Sequence, residues 1–400
     1  MLISPRLQRT LTRFRLNLAL AAAGMLIFLT LFTTSGRIVA GDGLGWDGRG
    51  YASLMTEGLD QGSVITRSRP LLPFLTRIPY ALGLDVIQSF QAMNAIYAFV
   101  LYLFVALILD HYGVHARFKI VVIANLALCI ATSKMFAYYP VLIDLGALAL
   151  VTAAFYFTIT DRHGVAGAVC VLAVASREFA GAALLCGVHR TFRQGRWPAA
   201  LWYVPAVVAA IIVRATTSAE GSLTPSDLIA NLAFWRSPVL YAAVFAYFVL
   251  TVFGGISVLL VLHPRWCGRR LREQPEQATF LVVVLGLSVM GLDIWRYLMF
   301  TLPVAVALIA QFYRDRLLAT GLERPIAAAM LFATVITQRP FERMDAAIYF
   351  REWFPQYDIL GGVASPDLLM LWGMRLTALT MLVILFASIT RSSRLQQSES

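Results

Sequence analysis

Four ionisable side chains, Asp47, Glu57, Arg67 and Arg69, follow directly on an apolar segment long enough to cross a membrane, in a stretch that opens Gly45-Trp46-Asp47-Gly48. Further along, Asp144 lies shortly after Pro140, Arg177 and Glu178 share a Ser-Arg-Glu tripeptide, and Asp293 precedes Arg296 by one helical turn. A carboxylate can take the proton of an attacking hydroxyl. Guanidinium groups bind phosphate oxygens through a planar fork and stabilise negative charge on a leaving phosphate. With no nucleophile triad in the chain, this set fits transfer of a group from a lipid-linked phosphate, with Asp47 as the base. Each acid taken singly marks a helix end equally well; their gathering on one side carries the reading.

The elements that must position these groups are membrane helices. The 400 residues are 59% hydrophobic and 14% charged, with a mean hydropathy of +0.72, which excludes a soluble globular domain. The expected fold is all-α, a polytopic bundle of about 10 to 12 membrane helices in a single transmembrane domain over 1–400. Apolar runs place ten crossings near 16–36, 87–109, 118–138, 141–160, 198–215, 239–262, 278–294, 297–312, 325–338 and 368–389. A net charge of +11 belongs to short basic spacers between these runs, so no nucleic-acid partner is read from it.

Those spacers, 110–119, 189–197, 263–277 and 313–324, should be cytoplasmic, together with both termini. Residues 164–188 then have both ends inside, which a hairpin of two short helices with Ser176-Arg177-Glu178 at its tip resolves. Asp47, Asp144, Glu178 and Asp293 all approach the opposite, outer face. Cys129, Cys170, Cys186 and Cys267 lack the spacing of a zinc site or a disulfide framework. His111 and His115 read as ordinary spacer residues.

The first outer loop, 37–86, is Gly-rich, with an Asp47-Gly48 turn signal. Tyr51, Leu54, Met55 and Leu59 follow at helical spacing, as in a short interfacial helix, and the segment from Leu71 to Leu82, interrupted by Pro73 and Pro79, is too short to span. Thr224-Pro225-Ser226-Asp227 has the form of a capping box before a helix from Leu228 to Trp235. An amphipathic segment, Phe341 to Phe354, is expected in the outer loop 339–367.

Trp46-Asp47-Gly48 with Tyr51, followed by Arg69-Pro70-Leu71-Leu72-Pro73, resembles the first-loop pattern of bacterial GT-C-type integral membrane glycosyltransferases. Tyr138-Tyr139-Pro140 with Asp144 resembles that superfamily's second acidic position, Ser176-Arg177-Glu178 its (S/T)-R-E element, and Arg296-Tyr297 before Pro303 a third, weaker one. The resemblance implies an active site on the outer face of a bacterial cytoplasmic membrane, a polyprenyl-phosphate sugar as donor, a cell-envelope glycan or lipid as acceptor, and Asp47 as base. The donor-binding set becomes Arg67, Arg69, Arg177, Arg296 and Tyr51, with Asp144, Glu178 and Asp293 as supporting acids. Arg49 stands where related sequences often carry Gln, so which arginine holds the phosphate stays open.

Bland roles stand beside these. Arg69 equally suits an anchor reaching to lipid headgroups, Arg177 and Glu178 a mutually neutralising pair, and Asp144 a partner for Lys134. Asp47, Asp144 and Asp293 offer oxygens that Mg²⁺ or Mn²⁺ would accept, but their spacing does not demand a metal. A surface-polysaccharide polymerase or ligase would use the same groups, and a transporter or flippase of lipid-linked sugars is the reading outside enzymes.

Overall fold

A computed structural model of the chain describes residues 5–58, 64–217, 238–289, 293–344 and most of 366–380. Among the described residues there is no strand; helices account for nearly all of the ordered backbone. The expected helix from Leu228 to Trp235 and its capping box lie outside the described residues, as do most of the amphipathic outer segment and much of the last expected crossing.

The long apolar runs become α1 (Pro5–Thr34), α5 (Val86–His111) and a continuous helical run from Ile294 to Leu317, with a fourth span at Trp197–Thr216. Shorter helices pack among them: α8 (Asp144–Ile159), α9 (His163–Val174), α10 (Ala180–Arg193) and the helix Pro275–Val289. The protein is therefore a multi-pass, all-helical membrane bundle. Among the described residues four helices are long and apolar enough to span, or six if two bent pairs each count as one.

Both apolar runs are broken where the backbone loses helical partners. The run expected at 118–138 divides into α6 (Ala116–Ala127) and a segment from Ile130 to Tyr138 turned by 67°. The run expected at 239–262 turns by 104° at Gly254, whose φ of +53° suits glycine and where a Cβ would sit 2.5 Å from the Thr334 hydroxyl. Backbone groups freed within apolar surroundings must find partners. Those partners come from the helix Glu323–Gln338 and from Asn125: Gln338 accepts from Ile130 N at 2.9 Å and donates to Thr251 O at 2.5 Å, Thr334 accepts from Gly255 N at 2.9 Å, and Asn125 donates to Phe253 O at 2.9 Å.

α8 is buried along nearly its whole length and sets the axis of the bundle. At 16 residues it is about 24 Å long, and charged networks lie at its two ends. Past its C-terminus, Asp161 and Glu276 accept from Arg190, and Glu276 also from Arg193. Nearby spacers hold the ion pairs Lys119–Asp110 and Arg270–Asp315. Its N-terminal end begins with Asp144. There the segment after α1 is tied in by Ile38 N to Tyr138 O at 3.1 Å and Met344 N to Ser35 O at 2.9 Å. The expected hairpin is present as α9 and α10, with its tip, Ser176-Arg177-Glu178, at this same end.

Candidate active site

α2 (Gly45–Thr56) starts earlier than the Asp47-Gly48 turn signal suggests, because the chain reverses at 40–44 and Asp47 already lies in the first helical turn. Gly45, at φ +68°, permits this entry: a Cβ there would fall 2.2 Å from the Tyr139 ring. The Tyr139 hydroxyl in turn accepts from Gly48 N at 3.1 Å, fixing the turn that carries Asp47. The face expected to lie in the interface is instead core, with Tyr51, Leu54 and Met55 almost wholly buried. Glu57, at the exposed C-cap, stands about 15 Å along the helix from Asp47.

Arg69 precedes α4 (Leu71–Ala81), which at 11 residues is too short to cross. Its guanidinium grips Glu178 in a fork, Nε to Oε2 at 3.1 Å and Nη2 to Oε1 at 2.7 Å, and Nη1 donates to the Tyr51 hydroxyl at 3.0 Å. A backbone bond from Leu71 N to Ala175 O at 3.2 Å fastens the first loop to the hairpin tip beside this pair.

Asp144 is wholly buried between two arginines, accepting from Arg177 Nη1 at Oδ1 and from Arg296 Nη2 at Oδ2, the latter at 2.9 Å. Arg296 Nη1 reaches Asp293 at 2.6 Å and Asp47 Oδ2 at 3.2 Å. Eight of the nine expected residues, Asp47, Tyr51, Arg69, Asp144, Arg177, Glu178, Asp293 and Arg296, thus belong to one neighbourhood. Arg67 ends a short helix (Val64–Arg67) two residues before Arg69.

Two pairings differ from those weighed in the sequence, and Arg49 lies outside the cluster. Asp144 is not a partner of Lys134, which donates to Arg339 O at 2.6 Å. Glu178 is neutralised mainly by Arg69, its contact with Arg177 being 4.0 Å. Arg49 pairs with Asp42 at 3.2 Å with both side chains exposed, rather than joining the cluster. The positioning role of Tyr139 was the missed element; its only sequence signal was its place in the Tyr-Tyr-Pro motif before Asp144.

The electrostatics separate the acids. Burial would raise the Glu178 carboxyl, but Arg69 and Arg177 outweigh it and hold the group down at about 2. Burial opposes charge on Arg69 too, yet Tyr51 and Glu178 keep it above its ordinary value. Burial, with Arg69 and Arg296 close by, pushes Arg177 down to about 10, leaving it charged at neutral pH. The Arg177 guanidinium lies 5.7 to 5.8 Å from the rings of Phe179, Tyr297 and Phe300, a distance at which aromatic faces offset part of the lost hydration.

Asp47 and Asp293 each give Oδ2 to Arg296 and have an Oδ1 that bonds to none of the described residues; Asp47 is the more open of the two, its side chain 43% exposed against 23%. The carboxylates alternate with guanidiniums, and among the described residues no three acids, histidines or cysteines come together to hold a metal ion. No family profile, curated protein or solved structure matches the chain.

Proposed function

We propose that this integral membrane protein is a glycosyltransferase that moves a sugar from a polyprenyl-phosphate donor to a cell-envelope glycan or lipid acceptor at the non-cytoplasmic face. The observation that carries the reading is the half-exposed Asp47 carboxylate at the rim of a charge network whose inner members, Asp144 and Arg177, are sealed from water.

In this scheme Asp47 Oδ1 takes the proton of the acceptor hydroxyl as its oxygen bonds to the anomeric carbon. The bond from that carbon to the donor phosphate oxygen breaks, and the electron pair leaves on the phosphate. Arg69 is placed to receive that charge. A guanidinium has five N–H donors; Glu178 and Tyr51 occupy three of them, so one on each Nη remains for phosphate oxygens. Arg296 orients Asp47, while Asp144 holds Arg296 and Arg177 as a buried counterion.

The transporter reading draws on the two broken helices, a feature of transporters. Here the breaks are closed by Gln338, Thr334 and Asn125, a fixed arrangement that favours a rigid scaffold over alternating access.

The test is transfer of radiolabelled sugar from polyprenyl-phosphate donors to membrane acceptors by the purified protein, compared with Asp47→Asn. Transfer by the wild type that is lost in an equally expressed, equally stable D47N protein is expected. Donor movement across liposomes without transfer would assign a flippase instead, and transfer undiminished by D47N would remove Asp47 as the base.

A further inference from the structure

At the other end of the Ile294–Leu317 run from Arg296, the structure forms an open cavity of about 510 Å³ lined by Arg265, Arg269, Arg316, His263 and Trp266. Arg296 and Arg316 lie about 30 Å apart along that run, so the cavity is remote from the Asp47 site. The helix Pro264–Glu273 supplies one wall, and its Trp266 is buried edge-on against Phe312, with ring centroids 5.2 Å apart. His263 packs on the same ring at 4.6 Å. Burial and the charge of Arg316 lower the His263 pKa, so the imidazole is neutral at neutral pH and the cavity's charge is that of the guanidiniums.

Basic residues at this end are expected from topology alone, and several are neutralised. Arg190 and Arg193 pair with Asp161 and Glu276, Arg270 with Glu273 and Asp315, and Arg314 with Asp315. Arg265, Arg269 and Arg316 are exposed, and among the described residues none has an acidic partner. Arg117, Arg162, Arg196, Arg272 and Arg324 likewise have no ion pair among the described residues, but Arg265, Arg269 and Arg316 converge on one concavity, and the apolar helix Gly255–Leu262 ends at its rim. Guanidinium forks without carboxylates in a concave site select phosphate oxygens, and basic pockets at membrane boundaries hold lipid headgroups.

We propose that this cavity binds a phosphate oxyanion, carried by the headgroup of an anionic phospholipid or by a free phosphate compound. The apolar rim favours the lipid. Neither source depends on the glycosyltransferase reading.

The experiment titrates the full chain in detergent with dioctanoyl phosphatidylglycerol and, separately, with inorganic phosphate, following binding by calorimetry. Wild type, R265Q/R269Q and R316Q are compared, with R272Q as a control on the same helix outside the cavity lining. Saturable binding of the lipid, weakened about tenfold or more in R265Q/R269Q and in R316Q and unchanged in R272Q, is the expected result. Saturable binding of inorganic phosphate with the same losses supports the site and names a soluble phosphate as occupant. Two independent variant sets guard against one failing to fold. Absence of saturable binding of both probes to the wild type, or binding by folded variants as tight as by the wild type, overturns the proposal.

Discussion

Asp144 and Arg296, separated by 152 positions, meet at 2.9 Å with both side chains withdrawn from water. Asp144 is also the nearest counterion of Arg177, whereas Arg296 is shared with Asp293 and Asp47. Removing one member of such a buried set costs about 3 to 5 kcal/mol, because the charges left behind have no solvent to replace it. Asp144→Asn should therefore lower the thermal midpoint in detergent sharply. D144N/R177Q should regain part of that loss, since Arg177, whose next acidic contact is Glu178 at 4.0 Å, goes with the acid. A double variant as unstable as the sum of the two singles would show that Asp144 and Arg177 do not interact in this way.

The Arg69–Glu178 pair makes a prediction about acid. Glu178 is held at about 2 in the folded protein against 4.5 for an ordinary glutamate. A depressed carboxyl stabilises the fold fully above its unfolded pKa and loses that contribution as pH falls through the folded one. The stabilisation should thus be complete above pH 4.5 and vanish toward pH 2. In detergent, the wild-type melting temperature should fall more steeply across this window than that of Glu178→Gln, which has no carboxyl to protonate. Parallel curves for the two proteins would contradict the assignment.

Gly45 tests the device that aims Asp47. An alanine there carries a Cβ into the Tyr139 ring and must also hold φ near +68°. Strain at such a position costs on the order of 1 to 3 kcal/mol. Gly45→Ala should reduce transfer more than it reduces stability, because the Gly48 N–H bond to Tyr139 is displaced along with Asp47. In a Tyr139→Ala background the same substitution should cost less, since only the backbone term remains. Equal costs in the two backgrounds would mean that the ring contact is not what constrains the turn.

How far the sequence carried these conclusions depended on how local each cause was. Hydropathy over some 20 residues located α1 and α5, and charge asymmetry placed the hairpin tip beside Asp144, because both signals are carried by contiguous residues. Partner choice was hidden. Glu178 neighbours Arg177 in sequence, but the fork of Arg69, arriving from a loop 109 positions away, fits its two oxygens better. Lys134 was a plausible mate for Asp144 until the bend after Ala127 carried it toward Arg339. That bend was itself illegible, since the residues that satisfy its backbone lie about two hundred positions downstream, and an apolar run reads alike whether it is straight or folded.

The same bend yields the last prediction. Ile130 N has Gln338 Oε1 as its acceptor at 2.9 Å, whereas Thr251 O, the other group Gln338 serves, also accepts from Gly254 N at 2.9 Å. Gln338→Leu should therefore strand one donor more than one acceptor. An orphaned buried amide costs about 1 to 3 kcal/mol, and in apolar surroundings no water repairs it. The consequence should be local: faster amide exchange at 128–134 in Q338L, with α8 exchanging as before, and a lower melting temperature. If the side chain of Gln338 were only filling space, leucine would do so equally well and exchange at Ile130 would not change. Faster exchange confined to this bend would show that a glutamine from the far end of the chain keeps the broken helix bent, and with it the wall behind Tyr138 and Tyr139 on which the Asp47 turn rests.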